Sequence, residues 1–468
     1  MAILKVYGTA VSTCTSRVLL CLYEMGLGPD FELKEMNVMA REQKHPSYLS
    51  TKNPFGQIPA FEDGDLTLFE SRAINRYIVT KYKEVGPNLL RLDNIKESAM
   101  VDVWLEVESQ TFNPPISIIV YQILVRPKFG GTADEKLVEA NVEKLEKVLD
   151  VYEERLSKSN YLAGDFYSLA DVNHIPYTYY LMKTSKASLI NSRPHVKAWW
   201  ENITSRPAFN KIAEGLTLGV SCINQCGALY TAFESWTIRD NHSHREIERE
   251  KEAMGLKLYG LPMSTNTARV AACLNEKELE YQLVPVDIRT GAHKQPPFIS
   301  LNPFGQLPAF EDGDLILFES RAITKYLASK YKETGPDLLR HNSISESAIV
   351  QVWLEVEANQ YSPPITALVF EILIKPLLGG TTDPHVVEAQ SEKLGKVLDI
   401  YEDRLSKSKY LAGEHFTLAD LHHLPYTFNL MKTPKSSLIL SRPHVLAWWE
   451  DISSRPAWKK VAGGMKYD

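Results

Sequence analysis

The chain is written twice. Residues 53–74, NPFGQIPAFEDGDLTLFESRAI, return at 302–323 as NPFGQLPAFEDGDLILFESRAI, differing only at Ile58/Leu307 and Thr67/Ile316. YLAGDFYSLAD (161–171) returns as YLAGEHFTLAD (410–420), and RPHVKAWW (193–200) as RPHVLAWW (442–449). Self-similarity on this scale means two whole copies of one folding unit in tandem, so every local solution must work in both. The offset is 252 at Ser12/Ser264 but 249 at Gln57/Gln306. Three extra residues therefore sit in the first copy, at Gly28-Pro29 and at one position among Ser50 to Lys52.

Each copy divides again, which predicts an α+β, multi-domain chain. In 1–83, and again in 255–332, short β-rich runs (Leu4 to Tyr7, Phe31 to Glu35, Ala60 to Phe61, Leu66 to Leu68) alternate with helical patterns (Ser16 to Glu24, Ser71 to Lys83). That alternation implies a small α/β layer. Residues 88–218 and 337–468 read as all-helical domains, entered through Gly86-Pro87 and Gly335-Pro336 turns. Ser168-Leu-Ala-Asp171 and Thr417-Leu-Ala-Asp420 carry the spacing of a helix-start capping box, a structural role. Between the copies, 219–254 has no counterpart and reads as a charged linker, long enough for the copies to dock on each other.

Composition excludes several classes. A net charge of -6 supplies no basic footprint for nucleic acid. The N-terminus lacks the pattern of a secretory signal, and the longest apolar run, Ile116 to Val125, is far shorter than a membrane span. Five cysteines without a CxxC fit a reducing compartment, so a cytoplasmic location is expected, without nucleic-acid or membrane partners. Asn202-Ile203-Thr204 and Asn241-His242-Ser243 are then chance matches to a glycosylation signal.

Three places could carry chemistry. Between the first strand and helix lies a hydroxyl cluster, of which Ser12/Ser264, Thr13/Thr265 and Thr15/Thr267 are kept in both copies. Hydroxyls beside a helix start and its free amides stabilise an anion, although an ordinary N-cap looks the same. In Gln57-Ile58-Pro59-Ala60 and Gln306-Leu307-Pro308-Ala309, a proline directly before a strand is a candidate cis position that exposes the preceding main chain to an extended ligand, or marks a plain turn. Glu70-Ser71 and Glu319-Ser320 put a carboxylate and a hydroxyl at a helix start, suited to a zwitterion or to simple capping. All three lean toward recognition of an amino acid or peptide. Cys14 aligns with Asn266 and cannot serve both copies; Cys21 and Cys273 read as buried hydrophobes. Cys222, Cys226, His242 and His244 have the wrong spacing for a zinc finger, so no metal is expected, and no Ser-His-Asp order, HExxH or P-loop occurs.

The order ST-x-x-x-RV, HK, NPFGQ-x-PAFEDGDL, LFESRAI and YLAG-x-x-x-(S/T)LAD resembles the plant phi-class glutathione transferases over nearly all of each copy. The resemblance implies two tandem units, each a thioredoxin-like α/β domain followed by an all-helical domain. It further implies that Ser12 and Ser264 donate to the sulfur of glutathione, the cosubstrate. Ile58 and Leu307, before cis prolines Pro59 and Pro308, pair with its cysteinyl main chain. Gln57 and Gln306 contact its backbone, while Glu70-Ser71 and Glu319-Ser320 hold the γ-glutamyl group. The family's His-Lys pair for the glycyl carboxylate is kept as His293-Lys294 but becomes Gln43-Lys44 in the first copy, with His45 as a shifted substitute. Losing that positive charge implies weaker glutathione binding there, by about 1 kcal/mol. The electrophile pocket is expected near Val11 and Met263, walled by Phe112/Tyr361 and Tyr121/Phe370. The implied function is conjugation of glutathione thiolate to hydrophobic electrophiles in xenobiotic detoxification, with glutathione-dependent peroxidase activity as a companion. The rival is a non-catalytic carrier of plant metabolites such as flavonoids, against which the retained serines argue; a structural module like those of translation elongation factor complexes fits the retained site residues worse. Because the family's units normally dimerise, the two copies are expected to form an intramolecular pseudo-dimer.

Overall fold

A computed structural model describes residues 3–213, 215–216 and 255–466. The expected linker over 219–254, with Cys222, Cys226, His242 and His244, lies outside them. In the first copy β1 (Leu4–Gly8), α1 (Thr13–Glu24), β2 (Phe31–Glu35), α2 (Pro46–Thr51), β3 (Ala60–Asp63), β4 (Leu66–Phe69) and α3 (Ser71–Lys81) build the α/β layer. The strand order is β2-β1-β3-β4, with β2 parallel to β1 and the other pairings antiparallel. Alternation along β1 buries Leu4, Val6 and Gly8 and leaves Lys5 and Tyr7 on the other face. The buried stripe of α1, Val18 to Leu22, packs beside α3 through Ala73, Ile74, Tyr77 and Ile78. This is the thioredoxin-like arrangement.

The helical domain follows as α4 (Ile95–Val107), α5 (Asn113–Val120), α6 (Glu135–Leu156), α7 (Leu169–Leu181), α8 (Ser188–Asn191), α9 (Pro194–Thr204) and α10 (Pro207–Ala213). The second copy repeats both layers, with β5 (Leu256–Gly260), β6 (Tyr281–Pro285), β7 (Ala309–Asp312) and β8 (Leu315–Phe318) in the order β6-β5-β7-β8. The first copy's three extra residues appear as the 3-10 turn Gly28–Asp30 and a longer α2, whose counterpart is only Phe298–Leu301. At the entry to the second helical domain Gly335 has φ +61°, and a Cβ there would lie 2.3 Å from the carbonyl oxygen of Glu276. Glycine alone fits that turn.

The copies touch through these same elements. α3 packs on the helix Ile344–Val356, and α4 on Ser320–Lys330. Phe69 meets Trp353 edge-on, and Trp104 meets Phe318 in the same way. Besides the exposed pair of Lys96 Nζ with Asp314 Oδ1 (2.7 Å), one buried ion pair crosses the contact among the described residues: Lys325 Nζ lies 2.8 Å from Glu106 Oε1, both side chains 5% exposed. Its counterpart Arg76 stays at home, paired with Asp102 of its own copy. The residue aligned with Asp102 is Gln351, so Lys325 has no such acid in its own copy and reaches across.

Both capping boxes form. Asp171, fully buried, accepts hydrogen bonds from Ser168 N (2.9 Å), Ser168 Oγ (3.0 Å), Leu162 N (3.3 Å) and Trp199 Nε1 (2.9 Å). Asp171→Ala strands four donors in the core, and the expected loss is about 2–4 kcal/mol in chemical denaturation of the full chain. A loss below about 0.5 kcal/mol would contradict this role.

Candidate active site

Ser12 is the N-cap of α1, with φ -76° and ψ 125°. Its Oγ accepts from Thr15 N at a long 3.4 Å, and Ser264 has the same geometry with Thr267 N. The hydroxyl proton remains available to a partner in the cleft. Thr15 and Thr267 do not compete for that role. They are buried, and each hydroxyl faces a strand glycine, where a Cβ on Gly8 or Gly260 would lie 2.4 or 2.3 Å from it. Thr13 stays beside Ser12 on the cleft wall.

On one side of Ser12 lie the polar residues. Ser71 opens α3, and its Oγ accepts from Arg17 Nη1 at 2.8 Å; Ser320 accepts from Arg269 Nη1 at 2.7 Å. Glu70 and Glu319 precede these serines in the left-handed region, at φ 64° and 65°. Such backbone costs on the order of 1 kcal/mol and persists only where the surroundings hold it. The Ile58–Pro59 and Leu307–Pro308 bonds are cis. The Gln57 carbonyl is engaged by Tyr48 Oη (2.9 Å) and Asn53 Nδ2 (3.0 Å), whereas Ile58 N–H and C=O have no hydrogen-bond partner among the described residues.

The loop expected at the glycyl end is a 3-10 turn in both copies, Glu42–Lys44 and Ala292–Lys294, which puts Gln43 in register with His293. His45 is occupied otherwise: it caps α2, its ring bonded to Ser47. Lys44 and Lys294 each donate to a main-chain carbonyl, of Phe55 (3.0 Å) and Phe304 (2.9 Å). Gln43 Oε1 and His293 Nδ1 are buried without a partner among the described residues. A ligand donor or acceptor at that end would satisfy them.

On the other side the wall is apolar. Val11, Ser12, Thr13, Ser117, Val120, Tyr121, Tyr177 and Tyr180 line a cleft of about 210 Å³. In the second copy Asn266, Gln306, Glu319, Ser320, Thr366, Phe370 and Tyr426 share a cleft of about 520 Å³ with Gln110 and Thr111 of the first. Tyr121 and Phe370 are thus wall residues, and Met263 is exposed. Phe112 and Tyr361 are not. They are 1% and 0% exposed and stack on Tyr152 and Tyr401 in the core, because their position in the turn after α4, and after its counterpart, faces α6, and its counterpart, instead of the cleft. Sequence reasoning missed Tyr177/Tyr426 and Tyr180, whose hydroxyl donates to the Val11 carbonyl at 2.7 Å. Tyr177 and Tyr180 stand one turn apart on α7, a spacing that marks a shared face.

Fold and cleft together define the class, a thioredoxin-like domain joined to a helical domain with a cleft at the junction, twice over. The family model for the glutathione S-transferase N-terminal domain matches residues 2–80 and 254–329, and that for the C-terminal domain matches 112–207 and 361–456. The chain belongs to the glutathione S-transferase family and is two fused units of the plant phi class. Glutathione S-transferase F13 of Arabidopsis thaliana is 53% identical over 212 residues, 45% of this chain and 97% of that protein. A glutathione S-transferase of Hyoscyamus muticus is 57% identical over 208 residues, 44% of this chain and 98% of the relative. Among solved structures, glutathione S-transferase I from maize in complex with an atrazine glutathione conjugate is 50% identical, with TM-score 0.44, covering 46% of this chain and 99% of that one.

Burial and then the facing carboxylate of Glu355, from the second copy, push the Glu70 carboxyl up to about 7; burial and Glu106 do the same to Glu319. Glu355→Gln removes one facing charge. The Glu70 titration, followed by carboxylate carbon NMR and assigned with Glu70→Gln, is expected to move down, and an unmoved titration would refute the account.

Proposed function

We propose that each copy activates glutathione as thiolate at Ser12 or Ser264 and adds it to hydrophobic electrophiles, with reduction of organic hydroperoxides by the same thiolate. What supports this reading most is one juxtaposition: the Ser12 hydroxyl at the start of α1 lines an apolar cleft, while Arg17 of the same helix ties that start to Ser71 at the start of α3. The serine O–H and the amides of the α1 start stabilise negative charge on sulfur and lower the thiol pKa toward neutral. The thiolate then attacks an electrophilic carbon, displacing its leaving group or adding to a polarised double bond, or attacks a peroxide oxygen, breaking the O–O bond to release the alcohol and leave a sulfenic acid that a second glutathione converts to glutathione disulfide and water; the serine is never itself alkylated. Ile58 or Leu307 pairs its main chain with the cysteinyl group. Gln57 or Gln306 contacts the peptide backbone. Glu70-Ser71 or Glu319-Ser320 takes the γ-glutamyl ammonium and carboxylate. Gln43-Lys44 or His293-Lys294 approaches the glycyl carboxylate. The four domains are assigned to 1–83, 88–218, 255–332 and 337–468, and the copies to an intramolecular pseudo-dimer in the cytoplasm. Xenobiotic detoxification is the role this chemistry serves.

Single-site variants separate the copies. Ser12→Ala and Ser264→Ala each remove about 100-fold of the turnover at their own site, and the double variant is inactive toward a model electrophile such as 1-chloro-2,4-dinitrobenzene. With only the first copy active, in Ser264→Ala, KM for glutathione is expected about fivefold higher than with only the second, from the lost charge at Gln43. A fully active double variant would overturn the reading, and saturable flavonoid binding without conjugation would favour a carrier.

A pH test isolates the glutamate role. Glu70 and Glu319 titrate near 7 when free, so below that pH the ammonium must displace a proton. Affinity for S-methylglutathione, whose sulfur cannot ionise, therefore rises from about pH 5.5 to 7.5 and levels above about 8. Calorimetry giving flat or falling affinity would exclude carboxylate recognition of the ammonium.

A further inference from the structure

We propose that Gln360, of the second copy, is a positioning residue for glutathione at the first copy's site, and that the second copy's site has no equivalent. The inference rests on the binding role proposed above for Gln57 and Glu70. Gln360 sits in the wide turn Glu357–Tyr361. Its amide crosses the contact between the copies, and Nε2 lies 2.9 Å from Gln57 Oε1 and 3.4 Å from Glu70 Oε1. One amide thus ties together two rim residues that come from different segments of the first copy.

The turn that carries Gln360 is held on both sides. Tyr361 is fully buried, its ring stacked on Tyr401 and its hydroxyl 2.7 Å from Thr427 Oγ1. Asn359 donates to the Glu355 carbonyl at 2.9 Å and accepts from Ser109 Oγ at 3.3 Å, a further bond between the copies. Glu70, by contrast, needs support. Its backbone is in the left-handed region, and it faces the Glu355 carboxylate. Among the described residues, Gln360 is the hydrogen-bond donor to its side chain. Donation to Oε1 leaves Oε2 and further lone pairs for a ligand ammonium. The rim is therefore set before the ligand arrives, which spares part of the ordering cost of binding.

The second site is built differently. Glu319 has the same backbone, but the facing Glu106 is already paired with Lys325. The residue aligned with Gln360 is Thr111, whose hydroxyl stands on Cβ and makes no hydrogen bond to Gln306 or Glu319 among the described residues. The neighbouring Gln110 gives its amide to Ser109 Oγ at 2.9 Å.

The test uses the full chain. In the Ser264→Ala background, where only the first copy turns over, Gln360→Ala is expected to raise KM for glutathione about three- to tenfold with kcat within about twofold. Gln360→Glu, which keeps the size and replaces the donor, is expected to raise it at least as much. In the Ser12→Ala background Gln360→Ala leaves the second copy's KM in place, while Thr111→Gln lowers it. A general packing defect would instead move both copies and the thermal midpoint. An unchanged first-copy KM in both Gln360 variants, or equal changes in the two copies, overturns the inference. The proposed function fails separately, if the serine double variant stays active.

Discussion

Each copy is organised around one buried carboxylate. Glu108, 1% exposed, receives Arg72 at 2.6 and 3.0 Å and Arg17 at 3.3 Å, and Arg17 is itself without solvent exposure. The second copy repeats the cluster with Glu357, Arg321 and Arg269. Such a cluster adds little net stability over an apolar core, yet losing one member costs roughly 3–5 kcal/mol, because the others stay buried and unpaired. Its value lies in position. Arg17 belongs to α1, Arg72 to α3 and Glu108 to the turn after α4, so the carboxylate locks the α/β layer to the helical layer. Arg17 also holds Ser71 Oγ, which fixes the start of α3 relative to the start of α1, where Ser12 stands. The spacing of the two helix starts across the cleft follows from this one cluster.

The neighbourhood tolerates that charge because the groups around it are kept from adding more. Burial lowers the His174 pKa to about 4, so the ring is neutral near pH 7 and acts through hydrogen bonds to Tyr152 (2.8 Å) and the Ala170 carbonyl (2.7 Å). Where the copies meet, duplication has been followed by divergence. Asp102 against Gln351 decides whether the base on α3 or its counterpart pairs at home or across. Because the same helices carry the contact and border the clefts, one substitution there alters the surroundings of both sites in different ways.

Much of this was legible in the residues. Short β-rich runs located the four strands of the first copy's sheet, Phe31–Glu35 to the residue, and the offset of the repeat located the three extra residues. Capping boxes were legible because the hydroxyl and carboxylate that satisfy a helix start lie within four consecutive residues. The cleft wall was legible in part. Tyr121 and Phe112 both look like wall residues in a helical pattern, and periodicity gives faces without saying which neighbour each face meets; Phe112 fell to the core. Gln360 could not be found from sequence, since its partners lie some 300 residues away, in the other copy.

The cysteines sharpen the chemical logic. Cys21 and Cys273 are fully buried, and burial pushes both thiols up, away from thiolate. Cys14 is matched by Asn266, so among the described residues no thiol occupies equivalent places in the two clefts. On the function proposed above, the nucleophilic sulfur common to both copies arrives with the ligand, and what the chain contributes is a hydroxyl, helix-start amides and a rim of polar side chains. That rim includes a glutamate in each copy whose left-handed backbone and raised pKa are both unfavourable on their own. A cationic group beside it would relieve the second of these costs, because it favours the charged carboxylate, while the backbone cost stays with the fold.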